Sequence, residues 1–381
     1  MPSYLFDRSG SRYPIDEPRW RGDDGSPLMV GPLPGISAEQ IDTGERSHWR
    51  YRAALPLPTE RISLGEGCTP LVSSTVFGAE VLVKPEWFNP TGSFKDRGTS
   101  VMVSLLADQG IGAILEDSSG NGGASVAAYC AAAGIEARIL APATTSPAKL
   151  QQARAHGAEV QLVPGSRADT SREAIRQSQQ RFYASHNWHP FFLQGVKLLA
   201  YELWEQLGFR APDNVVIPAG AGSLVLGCDL GFTELLAAGQ IDALPRLLVA
   251  QPSNCAPLVR AFERGDDAVG TGAEAPTWSL TIAEGTAIAS PVRDREVLAA
   301  IRRSGGAMAA IGEEAIAGAT RELASRGWYA EPTSAMAAAG LRMFRQRQVD
   351  GRPLIGPDQT TVLVLTGSGL KAAGAMAAVF G

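Results

Sequence analysis

The sequence predicts an α/β protein of two unequal lobes, each a mainly parallel twisted sheet flanked by helices, with an extended N-terminal arm. Three observations predict it. The chain has 381 residues, more than one hydrophobic core usually organises. From Ile62 onwards short apolar runs alternate with helical patterns, as parallel strands with crossover helices require. Two glycine-rich or small polar turns, Ser118-Ser119-Gly120-Asn121 and Gly220-Ala221-Gly222-Ser223, follow a strand and precede a small-residue helix.

Residues 1–50 are rich in Gly, Pro, Arg and Asp with little periodicity, which predicts an arm packed on the body or on a neighbouring subunit. Val81–Val83, Ala113–Leu115, Ala137–Leu140 and Val160–Val163 are β-branched or aliphatic runs that read as strands, with helices over Gly122–Ala133 and Pro147–His156. A second series of strands follows at Val215–Ile217, Leu247–Val249 and Thr361–Leu365. Alanine-rich stretches near Ala307 and over Ala335–Ala339 read as helices. The expected division is an arm at 1–50, a large domain from 51–84 and 191–381, and a small mobile domain at 85–190, with a ligand cleft between the lobes.

A formal net charge of −5 without a basic run excludes a nucleic-acid surface, which needs several neutralised phosphates. Cys68, Cys130, Cys228 and Cys255 lack both the paired spacing of a zinc site and the density of a disulfide scaffold, so reduced, cytoplasmic thiols are expected. No stretch approaches the ~18 consecutive apolar residues of a membrane span, and the N-terminus from Met1 to Arg8 has no apolar signal core.

Four segments carry candidate chemistry. Lys95 stands at a predicted helix start in Asn89-Pro90-Thr91-Gly92-Ser93-Phe94-Lys95-Asp96-Arg97-Gly98. A lysine that forms a Schiff base must shed its proton, and a helix N-terminus beside a cation disfavours the ammonium. In Ser118-Ser119-Gly120-Asn121-Gly122-Gly123, amides at a helix start suit a substrate carboxylate. In Gly220-Ala221-Gly222-Ser223, glycines admit a phosphate close to the backbone and Ser223 adds a hydroxyl. In Thr366-Gly367-Ser368-Gly369-Leu370-Lys371, hydroxyls follow a strand. Taken singly, each also fits a surface lysine or a plain capped turn.

Together, in this order, the four segments resemble the threonine synthase family of pyridoxal-phosphate (PLP) enzymes over roughly residues 62–375. The likeness continues through Ala155-His156-Gly157-Ala158, Gln251–Leu258 and Glu331-Pro332. The resemblance implies the tryptophan-synthase-type (type II) PLP fold, a homodimer, and Lys95 as the Schiff-base residue and later general acid and base. It further implies that Asn121 meets the cofactor's phenolic oxygen and that Gly220, Ala221, Gly222 and Ser223 cradle its phosphate. Thr366 or Ser368 then faces the ring nitrogen, and a hydroxyl partner there leaves that nitrogen unprotonated. The arm is similar to a small zinc ribbon with Phe6, Ser9, Gly22 and Gly25 in the cysteine positions, so no zinc is expected.

The sequence departs from the family where a substrate phosphate is held. Gly122 stands for a threonine, Phe192 for an arginine and Ala221 for an asparagine. Each lost charged hydrogen bond is worth about 1–3 kcal/mol. Trp188, Phe191 and Phe192 make that side more apolar, while His186 and His189 offer a proton donor or a new anion contact beside their ordinary structural role. Thr281-Ile282-Ala283-Glu284-Gly285 is similar to a segment of serine and threonine dehydratases, and places Glu284 among the candidates for substrate binding with Ser118, Ser119, Gly120, Gly122 and Phe192. The expected reaction is elimination or replacement on a small L-amino acid bearing a leaving group. The alternatives are a dehydratase-type ammonia-lyase and a non-catalytic binding protein of the same fold.

Overall fold

The computed structural model describes residues 3–56, 60–270 and 278–381. Met1 and Pro2 of the arm, and 57–59 of the expected large domain, lie outside them. The chain divides into two compact units. The first takes the described residues up to Cys68 together with Asn89–Leu198, and the second takes Thr69–Phe88 and Leu199–Gly381. The arm therefore groups with the smaller parallel sheet, as do the described residues of 51–68 that were expected in the large domain, and the units change over at 68/69, 88/89 and 198/199.

In the first unit four parallel strands run in the order Glu159–Val163, Glu136–Pro142, Ala113–Glu116, Phe182–Tyr183. Leu115, Leu140 and Tyr183 are buried on them, with Val163 and Ala174 completing the cluster. Two helices bear on the site: α1 (Lys95–Asp108) and α2 (Asn121–Ala133). The arm is not merely extended. It folds as a three-stranded antiparallel sheet, with Tyr4–Phe6 between Arg12–Pro14 and Met29–Val30.

Two similar turns bracket that small sheet. Asp7 N donates to Ser11 O and Gly22 N to Ser26 O, and Gly10 and Gly25 hold the same positive-φ place. This equivalence pairs Phe6 and Ser9 with Arg21 and Asp24, so the second expected pair, Gly22 and Gly25, is displaced by one residue. A carboxylate joins the two turns, Ser9 N donating to Asp24 Oδ2, while a second braces the first turn, Tyr13 and Ser9 hydroxyls donating to Asp7.

The second unit is built on a six-stranded sheet in the order Ala307–Ile311, Arg246–Pro252, Asn214–Pro218, Thr361–Leu365, Ala79–Pro85, Val72–Val76. All neighbours are parallel except the last pair. Val215, Val216 and Ile217 are wholly buried, as a central parallel strand covered on both faces demands. Alanines near Ala307 form an edge strand and not the expected helix. Tertiary packing overrides propensity here: Ala307, Ala309 and Ile311 share one buried core with Ala335–Ala339 and Leu341 of the helix Pro332–Gln346.

Candidate active site

Lys95 is the first residue of α1 and half-buried. The chain reaches it through a turn in which Gly92, at φ +86°, donates its N–H to Asn89 O. Asp96 fixes this turn. Its carboxylate accepts the Thr91 amide and hydroxyl, each at 2.6 Å, and the Ser125 hydroxyl of α2 at 2.6 Å. The Lys95 Nζ lies 4.4 Å from the centroid of the Phe94 ring and 5.7 Å from that of Phe192. Phe192 is wholly buried and reaches α1 because residue 98 is glycine: a β-carbon there would stand 2.5 Å from the ring.

The turn before α2 leaves the sheet at Glu116. Ser118 and Ser119 are half-buried, Gly120 precedes the helix, and Asn121 is its first residue. A β-carbon at Gly123 would strike Ser118 O at 1.9 Å, which is why the turn closes so tightly. One at Gly122 would stand 2.8 Å from His186 Nδ1 and 2.9 Å from Ser118 Oγ. His186 thus fills the room of the missing side chain.

The His186 ring is held from behind. Its Nδ1 lies 3.0 Å from Glu116 Oε1, its backbone N–H donates to Glu116 Oε2, and it meets Phe192 edge-on at 5.6 Å. Burial pushes the imidazole below its ordinary value; Glu116 pulls the other way, and the Lys95 charge reinforces burial. A neutral ring facing a carboxylate at Nδ1 carries its proton there, which makes Nε2 an acceptor. Lys95, Ser118, Gly122, His186 and Phe192 therefore form one neighbourhood in the first unit. His189 is separate in role: it caps the helix Pro190–Val196.

The remaining candidates lie in the second unit. Gly220–Gly222 follow the strand Asn214–Pro218, and Ser223 opens the helix Ser223–Ala237. Gly222 has φ +87°, and a β-carbon on it would stand 2.3 Å from Val297 Cγ2. One on Gly220 would stand 2.9 Å from Thr286 Cα. The segment Glu284–Thr286 thus covers the glycine loop, with Glu284 itself exposed and Gly285 N donating to Thr333 Oγ1.

Thr366 and Ser368 differ sharply. Ser368 Oγ accepts from Leu370 N, a local capping role. Thr366 is buried, 3.0 Å from Ser334 Oγ and 3.3 Å from Glu331 Oε1. Asp96, Glu116, Ser334 and Glu331 received no role from the sequence. The signals available for them were an acid next to Lys95, an acid pair closing a strand, and the Glu-Pro before a helix.

A sequence model described as "Pyridoxal-phosphate dependent enzyme" matches residues 62–367. The chain belongs to that family. Its residues fit the cofactor. In the second unit Gly220 and Gly222 present bare backbone, since β-carbons there would strike Thr286 and Val297, as a turn that holds a phosphate needs; in the first unit Ser93 Oγ, two residues before Lys95, is buried without a hydrogen-bond partner. The chain is similar to threonine synthase of Methanosarcina acetivorans, 35% identical over 88% of this chain and 83% of that protein. Threonine synthase of Synechocystis sp. is 33% identical over 84% and 82%. Among solved structures, a T.th. threonine deaminase is 26% identical with a TM-score of 0.64, over 79% of this chain and 92% of that one. An L-serine ammonia-lyase from Rhizomucor miehei, at 20% identity and TM-score 0.68 over 81% and 95%, shows the same fold. Among the described residues no group of three or more His, Cys, Asp or Glu is placed to hold a metal ion, and no helix is long and apolar enough to cross a membrane.

Proposed function

We propose that this PLP-dependent enzyme carries out elimination or replacement on an L-amino acid bearing a leaving group. The reaction we assign is that of threonine synthase, O-phosphohomoserine to threonine, or a β- or γ-replacement on a related activated amino acid. What carries the reading is the 35% identity to a threonine synthase across 88% of the chain. The lysine segment falls inside that span, and its aromatic surroundings favour a lysine that reacts over one that is merely solvated.

When bound, the cofactor supplies an electron sink for negative charge developing on the substrate. The chain's residues do the rest. Lys95 carries the cofactor and, as a free amine, moves the proton at the substrate Cα. Amides of Ser118, Ser119 and Gly120, at the N-terminus of α2, orient the substrate carboxylate. The Asn121 side chain bonds the phenolic oxygen, and Gly220 to Ser223 hold the cofactor phosphate. Thr366, buried at the end of its strand, faces the ring nitrogen, and Ser368, partly exposed, caps the turn to Leu370. Phe192 and His186 exclude water from the wall beside Lys95, and Glu284 borders the substrate. The working unit is a homodimer in the cytoplasm, a reading drawn from the resemblance and checked by light scattering and cell fractionation.

A second reading, ammonia-lyase, draws on the likeness to threonine deaminase at 26% identity. The test follows the near-visible spectrum of the purified protein during separate additions of O-phosphohomoserine, O-phosphoserine, threonine and serine, with phosphate, ammonia and 2-oxo acid assayed. Phosphate with threonine supports the first reading, and 2-oxo acid with ammonia the second. A Lys95→Ala variant that kept a borohydride-reducible cofactor would remove Lys95 from its role. Absence of a lysine-bound band in the wild type would leave a non-catalytic protein.

A further inference from the structure

His186 stands on the wall of the first unit that carries Lys95, and only one of its ring nitrogens is used. Nδ1 lies 3.0 Å from Glu116 Oε1, and among the described residues no hydrogen bond reaches Nε2. His189 differs, because its Nδ1 accepts the Phe191 N–H and is spent on a helix cap. The His186 side chain keeps 9% of its surface open while Glu116 keeps none, so the open edge is the one turned from Glu116, which carries Nε2.

Glu116 is arranged to receive. Its Oε1 accepts the Asp117 N–H at 3.1 Å and its Oε2 the His186 N–H at 2.9 Å, so both oxygens already face donors and the Nδ1 proton is a third. The adjoining acid does not compete: Asp117 is paired with Arg167 at 2.6 Å and takes the Ser171 and Tyr183 hydroxyls. A carboxylate behind one nitrogen and a lone pair on the other is how an imidazole takes a proton from a reacting group. The carboxylate holds the tautomer and then steadies the imidazolium. Burial outweighs the pull of Glu116, and the Lys95 charge adds to burial, so the ring is neutral beforehand, as a base must be.

Its neighbours put that lone pair beside the chemistry. One ring, Phe192, is flanked by both His186 and Lys95, with the imidazole centroid 5.6 Å and the Lys95 Nζ 5.7 Å from its centroid. The room at Gly122, on the first turn of α2, is bounded by His186 Nδ1 and Ser118 Oγ. A substrate with its carboxylate on the α2 amides and its Cα proton moved by Lys95 lies along this wall. Phe94 and Phe192 keep bulk water off it, and Nε2 is the polar point at which a single molecule is held.

We propose that His186 is the general base for the incoming nucleophile, with Glu116 as its positioning residue. This rests on the replacement reading above. In the threonine-forming case, phosphate has left with its bonding pair and the substrate holds a Cα–Cβ double bond. Water gives a proton to Nε2 while its oxygen pair forms the bond to Cβ, the π pair moves to Cα, and Lys95 supplies the proton there. His186 then yields its proton to solvent and is neutral again.

The experiment labels the ring nitrogens of the chain's four histidines with ¹⁵N in the full-length holoenzyme and records their NMR signals near pH 7.5. His186, assigned by its through-space contact with Phe192, is expected to carry its proton on Nδ1 and none on Nε2. Two further readings compare wild type with His186→Gln. Exchange of the Cα proton of L-2-aminobutyrate with D2O, the Lys95 step alone, is expected to stay within about twofold. Threonine from O-phosphohomoserine is expected to fall about 100-fold, with 2-oxobutyrate and ammonia in its place. A protonated Nε2 in the wild type overturns the proposal without any variant having to fold. So does a variant that still makes threonine at the wild-type rate, or one that loses exchange and threonine equally, which is the mark of a structural role. If the wild type releases no phosphate from O-phosphohomoserine, the substrate reading fails by itself, and the proposal is then decided by the imidazole signal.

Discussion

Asp96 receives both the amide and the hydroxyl of Thr91 at 2.6 Å, and so ties the residue after Lys95 to the turn that precedes it. The same carboxylate takes the Ser125 hydroxyl from α2, which couples the lysine-bearing turn to the second candidate helix start. Asp96→Asn keeps one oxygen and loses the charge on a wholly buried group. Buried hydrogen bonds to a charged group contribute about 1.5–3 kcal/mol each, so a loss of about 3 kcal/mol is expected. Urea denaturation of variant and wild type checks it, and an unchanged midpoint would remove Asp96 as the clamp.

The turn chemistry of this site was legible because glycines and helix starts are local. Lys95, Asn121 and Ser223 each fall at the first residue of a helix, as their sequences imply. What escaped is the long-range partner. Ser125 lies 29 residues from Asp96, Glu331 35 from Thr366 and Glu116 70 from His186. No period or spacing joins such pairs; the topology of the sheet does. The strand at Ala307 escaped for a related reason, since alanine's helix propensity gave way to the need for small residues under a helix.

Gly122 and His186 form a second testable pair. Gly122→Ala drives a β-carbon to within 2.8 Å of an imidazole held by Glu116, and overpacking of this kind costs about 1–3 kcal/mol. The same substitution in a His186→Ala background meets only the Ser118 hydroxyl, at 2.9 Å, and is expected to cost less. A double-mutant cycle measures the coupling. Equal costs in both backgrounds would show that His186 is not what excludes a side chain at 122.

The arm gives a prediction about metal. Its two turns are joined by the Asp24 and Ser26 side chains, which accept the Ser9 and Arg8 amides, and each is braced within itself by Asp7 or Asp24, in place of thiolates. Chelation by EDTA is expected to leave the thermal midpoint unchanged, whereas Asp7→Ala lowers it, because the Tyr13 and Ser9 hydroxyls and the Ser11 amide lose their shared acceptor. Differential scanning fluorimetry checks both arms. A midpoint that fell on chelation would restore a metal to the ribbon.

Glu66 makes the fold of the first unit sensitive to acid. Its buried carboxylate accepts from Trp49 Nε1 at 2.8 Å, Ser100 Oγ at 2.6 Å, Tyr129 OH at 2.6 Å and Leu64 N at 2.9 Å. Burial alone pushes this carboxyl up. His48, with Nε2 3.2 Å away though not aligned for a hydrogen bond, and the Ser100 and Tyr129 hydroxyls outweigh burial and hold it well below the usual glutamate range. A depressed carboxyl stabilises the fold in full above the unfolded value of about 4.3, and that contribution is lost as pH falls from there toward the folded value. Glu66→Gln removes the charge, and a cost of about 3 kcal/mol is expected at pH 7. Below pH ~4 the unfolded wild type takes up a proton that the folded carboxylate still resists, so the gap between the two proteins should narrow. Urea denaturation at pH 7, 5 and 3.5 reads the gap directly, and one that stayed constant would mean that Glu66 is not the titrating group.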